Sequence, residues 1–207
     1  MNSNFGNCMA YELDTLINID FLFIRHGQTS WGREDIMKGP QDLQLNETGR
    51  RQAELAYETI TYHQKLQQPI IYSSALKRAQ ETAKIFVDKA SQEIPIITKE
   101  GLDERYYGDY SKATFQSYLN YKPDDAESTE VFKRRVRNTI IEIFNQPSAK
   151  NRDIIIISHQ KVFEYLTEWL TNENLRLKQG CVCYFKFKDE KYLPKIYEPT
   201  ITLLESY

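Results

Sequence analysis

Short, fully apolar runs alternate along the chain with segments whose apolar positions recur every three or four residues. Residues 17–24 (Ile17 to Ile24) become wholly apolar toward the end, which suits a strand buried on both faces. Asn46 can cap a helix starting at Glu47, in which Ala53, Ala56, Tyr57 and Ile60 share one face. Residues 69–73 form a second short strand, followed by a helix over about 75–89. Residues 94–97 predict a third strand, and Pro95 suits its start or a sheet edge. The stretch 105–127 is rich in Tyr, Asp and Lys and lacks a clean period. Ser128 can then cap a helix that carries Phe132, Val136, Ile140, Ile143 and Phe144 on one side. Residues 153–157 are the clearest buried strand, and Val162, Tyr165, Leu166, Trp169 and Leu170 mark the helix after it. Residues 181–188 read as a last strand paired with 193–198.

Strands alternating with helices predict an α/β fold, a three-layer α/β/α sandwich around a mainly parallel central sheet. The chain of 207 residues suits one domain. The expected division is a partly ordered polar extension over 1–16 and a single domain over 17–207, with a small cap segment at about 105–130. Apolar residues make up 41% of the chain, enough for a folded core without a disulfide or metal staple. The formal charge is −2, with both signs interspersed, which disfavours a broad basic face for nucleic acid but leaves room for a small cationic pocket. The three cysteines, Cys8, Cys181 and Cys183, are an odd number without zinc-type spacing and read as reduced thiols. No apolar run approaches a membrane span, and residues 1–20 lack the pattern of a signal peptide. A cytoplasmic location follows by default, with no membrane partner.

Only three histidines occur, and two share an unusual setting. His26 follows the first buried strand after one arginine, and His159 follows the strand 153–157 after one serine. Ligands of open parallel sheets bind beyond the carboxyl ends of strands, so two imidazoles there converge if their strands are neighbours. His63, among polar residues on the first helix, reads as a surface residue. Arg25 stands beside His26, and Arg78 opens the helix after the second strand. Guanidinium forks match phosphate oxygens, and turn amides near Gly27 and Ser74 add donors. The four side chains describe an anion trap. A metal site made from the two histidines and a carboxylate is disfavoured, because the arginines would repel a cation.

Arg25-His26-Gly27-Gln28-Thr29 resembles the R-H-G-[EQ]-[ST] motif of the histidine phosphatase superfamily, the phosphoglycerate-mutase-like proteins. The resemblance continues in order through Lys38-Gly39, Asp42, Leu45, Asn46-Glu47, Gly49, Gln52 and Ala53. It then runs through Ser74, Leu76, Arg78-Ala79, Thr82 and Ala83 to Leu102, Glu104, Tyr107 and Gly108. Glu127-Ser128, Phe132, Arg135-Val136 and Ile157-Ser158-His159 complete it. It implies His26 as the nucleophile that takes the phosphoryl group, and Arg25, Arg78 and His159 as holders of the phosphate oxygens. Glu104 is implied as general acid and then base, with Thr29 and Tyr107 at the phosphate or substrate pocket. No cofactor and no metal are expected, because the arginines supply the positive charge.

The resemblance implies a metal-independent phosphatase of small phosphorylated metabolites, with a phosphoglycerate-type mutase and a non-catalytic phospho-ligand module as alternatives. Glu104-Arg105-Tyr106-Tyr107-Gly108 looks mutase-like, but residues 105–158 leave little room for a mutase's insertion before His159. Tyr106, Tyr107, Tyr110, Phe115, Tyr118 and Tyr121 could wall a substrate pocket or pack a core. Three departures stand out. Gly32 replaces a frequent Asn, Tyr110-Ser111-Lys112 replaces an aromatic-Glu-Gly, and Gln160 replaces a Gly after the second histidine. A side chain at 160 is tolerable if it points away from the phosphate.

Overall fold

Alternate residues of the central strands face opposite helical layers, and this alternation builds the fold. The computed structural model describes residues 19–30, 42–108, 123–149 and 151–198. Six strands form one sheet: β1 Phe21–Arg25, β2 Ile70–Ser73, β3 Ile96–Thr98, β4 Ile154–Ser158, β5 Val182–Lys188 and β6 Lys191–Tyr197. Four helices pack on it: α1 Glu47–His63, α2 Lys77–Ala90, α3 Thr129–Asn145 and α4 Gln160–Thr171. Phe21 and Phe23 of β1 and Ile154 and Ile156 of β4 join Phe132, Val136 and Ile140 of α3 and Val162 and Phe163 of α4 in one core. Leu22, Ile24, Ile155 and Ile157, the intervening residues, meet Ala56 and Ile60 of α1 and Ala79, Ala83 and Phe86 of α2 in the other. The molecule is therefore the three-layer α/β/α sandwich. All of Ile154–Ser158 is buried, which is why this strand reads as continuous isoleucine and not as an alternation.

The sheet order is β3-β2-β4-β1-β5-β6. β3, β2, β4 and β1 run parallel, while β5 and β6 add antiparallel to the β1 edge. β4 therefore sits between β1 and β2, although it is made last of the three. Register brings Arg25 opposite Ser158 and Ser73 opposite Ile157, so three strand ends finish level.

The helix caps are as the sequence predicts. The Asn46 side chain accepts from the Gly49 amide, and the Ser128 hydroxyl from the Val131 amide. β3 is an edge strand beginning just after Pro95. Strand limits shift by one to four residues: β1 starts at Phe21, with Asp20 instead accepting from the Tyr184 hydroxyl and the Phe187 amide. β6 starts at Lys191, two residues before the expected position, after a two-residue turn. Asp189 and Glu190 both hold positive φ there, 52° and 61°. Such turns favour Asn-Gly, so the sequence offers no turn signal. Lys191, Pro194 and Lys195 suit an edge strand.

Cys181 and Cys183 are buried free thiols in the same core. His63 is exposed at the end of α1 and stacks on Tyr197, with ring centroids 4.2 Å apart. No helix among the described residues is long and apolar enough to cross a membrane. The extension 1–16 with Cys8, the 109–122 part of the cap segment, Lys38-Gly39 and Gly32 lie outside the described residues.

Candidate active site

The loop that carries His26 is fastened to α1 by backbone contacts that need two glycines. A Cβ on Gly27 would lie 2.2 Å from the Gly49 carbonyl oxygen, and one on Gly49 would lie 2.0 Å from that of Gln28. The Gln28 amide donates to Gln52 Oε1 (2.8 Å) and the Asn46 amide to the Gln28 carbonyl (3.0 Å). From α2, Thr82 Oγ1 accepts from the Gly27 amide (3.2 Å) while donating to the Arg78 carbonyl (2.7 Å). The motif residues Asn46, Gly49, Gln52 and Thr82 thus hold the histidine loop in place.

His26 is buried, and its amide donates to the Ser158 carbonyl beyond the β1–β4 pair. Its Nδ1 lies 2.7 Å from the Gly27 carbonyl oxygen. A carbonyl only accepts, so Nδ1 carries the proton and Nε2 keeps its lone pair. Burial pushes the imidazole pKa down to about 3, helped by the charges of Arg78 and Arg25 and opposed by the Gly27 bond. Nε2 is therefore an unprotonated nucleophile at neutral pH.

His159 is fully buried, with its ring centroid 5.1 Å from that of His26. Its Nε2 lies 2.7 Å from Ser74 Oγ, which lies 2.7 Å from Asp103 Oδ1. The same Asp103 oxygen accepts from the Ala75 amide (2.8 Å). The Ser74 hydroxyl must donate to the carboxylate, so His159 Nε2 donates to Ser74. Nδ1 of His159 is buried with no hydrogen-bond partner among the described residues. Burial, then Arg78 and His26, pull its pKa well below the usual value.

Arg25 is half-buried at the end of β1, and its Nη1 donates to the Leu177 carbonyl (2.8 Å) and to Gln160 Oε1 (3.1 Å). Arg78, in the first turn of α2, is half-buried and acts on both histidines and Glu104. Burial lowers its pKa, and Glu104, Asp42 and Asp103 raise it. Glu104 follows the turn 100–102. Its Oε1 accepts from the Arg105 amide (2.9 Å) and its Oε2 from the Lys161 amide at the start of α4 (3.3 Å). Burial raises its pKa, against these two bonds and the charges of Arg78 and Arg25. A carboxyl with a raised pKa and a neutral imidazole, both under the charges of Arg78 and Arg25, suit proton donation coupled to nucleophilic attack.

The structure therefore brings Arg25, His26, Arg78, Glu104 and His159 into one electrostatically coupled group. Thr29 is not tied to this group: its backbone bridges Leu45 and its carbonyl accepts from the Asn46 side chain. Tyr107 lies with its ring 5.3 Å from the Arg105 guanidinium. Tyr110-Ser111-Lys112, Phe115, Tyr118 and Tyr121 are outside the described residues.

Two supports have no role in the sequence reading. One is Asp103, which orients Ser74; its position beside Glu104 was the available signal. The other is the Arg135–Glu127 pair. Arg135 Nε and Nη2 donate to Glu127 (2.7 and 2.8 Å), while its guanidinium also donates to the carbonyls of Gly101, Asp103 and Glu104. These bonds fix the segment that presents Glu104.

The two depressed imidazoles predict a pH dependence of stability. As pH falls below 6.5 the unfolded chain takes up protons that folded His26 refuses until about 3. Stability is therefore full above about 6.5 and declines toward acid, by roughly 1.4 kcal/mol per pH unit for each imidazole. Glu104, raised in the fold, acts the other way and offsets part of the decline. Urea unfolding at a series of pH values should show a shallower acid decline for His26→Gln than for the parent chain. Equal slopes would mean that His26 is not held neutral.

A family model described as histidine phosphatase superfamily (branch 1) matches residues 21–196. The phosphoglycerate mutase-like protein 4 of Arabidopsis thaliana is 36% identical over 105 residues, 51% of this chain and 44% of that protein. The chain thus spans less than half the length of that relative. PhoE of Bacillus subtilis (strain 168), described as an uncharacterized phosphatase, is 29% identical over 183 residues, 84% of this chain and 91% of its own. Among solved structures, the alpha-ribazole phosphatase of Shigella flexneri has the same fold, with a TM-score of 0.70 at 21% identity over 86% of this chain and 95% of that one. The matched span takes in both strand-end histidines and nearly all of the described residues, and the chain belongs to the histidine phosphatase superfamily.

Proposed function

We propose that the chain is a metal-independent phosphatase of small phosphomonoesters, acting through a phosphohistidine on His26. The observation that carries this reading is the Nδ1–H bond to the Gly27 carbonyl, which leaves a neutral Nε2 among Arg25, Arg78 and His159. In the first step the Nε2 lone pair forms the N–P bond as the ester P–O bond breaks. Glu104 gives its proton to the departing oxygen, and the guanidiniums hold the charge on the equatorial oxygens. In the second step Glu104, now a carboxylate, takes a proton from water. The water oxygen bonds to phosphorus, the P–N bond breaks, and its electron pair returns to Nε2. Inorganic phosphate leaves and both groups regain their starting protonation.

The substrate in this reading is a small phosphorylated metabolite of the cytoplasm, and neither a nucleic acid nor a membrane takes part. The description of PhoE as a phosphatase supports hydrolysis. The Arabidopsis relative's name keeps phosphoglycerate mutase activity as the second reading, which conversion of 3-phosphoglycerate to 2-phosphoglycerate would promote.

Rapid quenching during turnover should trap a phosphoprotein that is stable in base and labile in acid, as a phosphoramidate is. Turnover should be undiminished in EDTA. A phosphoprotein stable in acid, or an activity lost in EDTA, would overturn the proposal.

A further inference from the structure

Gln160 is the first residue of α4 and follows His159 directly. Its side chain is turned toward Arg25 and the segment before β5. Oε1 accepts from Arg25 Nη1 (3.1 Å) and from the Leu177 amide (3.2 Å), and Nε2 donates to Glu164 Oε1 (3.1 Å). The same Arg25 Nη1 donates to the Leu177 carbonyl (2.8 Å). Arg25, Gln160 and Leu177 therefore close a three-member ring, anchored through Glu164 to the next turn of α4. Glu164 is held in turn by Lys161 Nζ (2.6 Å).

We infer that Gln160 is a positioning residue for Arg25, setting the guanidinium that grips the phosphate. A long guanidinium side chain has many rotamers, and an anion site gains when one is selected before the ligand arrives. Two acceptors on one Nη, both far from Arg25 in sequence, select it. The acceptor from α4 is a neutral carboxamide, so it orients Arg25 without cancelling its charge, as a carboxylate there would. The polarity of the carboxamide is set by its partners: Glu164 can only accept, so Nε2 faces it and Oε1 faces Arg25. The side chain thus points away from the phosphate while acting on it through Arg25. The inference rests on the phosphatase reading of the site.

The test uses Gln160→Met, which keeps length and helix propensity but removes the acceptor, with inorganic phosphate as the probe. A hydrogen bond to a charged group is worth about tenfold in affinity, so the inhibition constant for phosphate and KM should rise together by about that factor. kcat should fall by less, and the thermal midpoint should stay close to that of the parent. An unchanged phosphate inhibition constant in Gln160→Met would overturn the inference, as would a loss confined to the thermal midpoint. A parent chain that neither hydrolyses phosphomonoesters nor binds phosphate would overturn both this and the reading beneath it. A parent that does both, beside an unaltered Gln160→Met, would overturn this alone.

Discussion

Replacing His26 by alanine removes the proposed nucleophile and should lower kcat/KM by a factor on the order of 10^4 or more. Arg25, Arg78 and His159 remain, so the variant should still bind inorganic phosphate, and the rapid-quench phosphoprotein should disappear. Folding is a separate matter. The substitution forfeits one buried hydrogen bond, from Nδ1 to the Gly27 carbonyl, and at neutral pH there is no protonation penalty on the imidazole to relieve. At neutral pH the net change in unfolding free energy should stay within about 1 kcal/mol. The expected result is thus a folded, phosphate-binding, inactive chain. Full activity in this variant would remove His26 from the chemistry and the phosphohistidine with it.

Glu104→Gln should divide substrates by leaving group. An alkoxide leaves badly without a proton, so alkyl and sugar phosphates should lose about 10^2 to 10^4 in kcat/KM. p-Nitrophenolate needs no such help, and p-nitrophenyl phosphate should lose less than about tenfold in the phosphorylation step. The carboxamide oxygen can still accept from the Arg105 amide, so the variant keeps the better of the two bonds that seat the side chain. The pH profile gives an independent reading. Burial holds the Glu104 pKa above its usual value, so the acid form persists to higher pH and is lost as pH rises through that value. Parent activity on alkyl phosphates should decline along that limb, and the variant should lack it. Equal losses for both substrate types would take the acid role from Glu104.

What the sequence disclosed about this site was local. Ile154-Ile155-Ile156-Ile157 could only be a strand covered on both faces, and Asn46 and Ser128 mark their helices by hydrogen bonds made within three residues. The placing of His26 and His159 at strand ends followed from those runs. Their meeting did not, because it depends on β4 pairing with β1, and no periodicity encodes a neighbour. The same limit hid the serine and carboxylate behind His159, which converge from β2, the turn after β3 and β4. Arg135 and Glu127 showed as motif residues, but three carbonyls of another segment reveal their work. The hairpin turn escaped for a different reason. Asp189 and Glu190 adopt positive φ through the pairing of β5 with β6, against their own preference.

The order of strands also sets when the pocket can exist during synthesis. Arg25, His26 and Arg78 leave the ribosome early, but the strand that separates β1 from β2 does not. Arg25 and Gln160 are 135 positions apart. Until β4 emerges, β1 and β2 have no partner between them and present bare, apolar edges, the surfaces most open to wrong pairing. Closing so long a loop is slow compared with forming a helix, so the pocket is expected to assemble late in folding. A nascent or truncated chain would therefore carry His26 and both arginines without a complete site, and a premature stop before β4 should leave an inert, aggregation-prone fragment, not a weak enzyme.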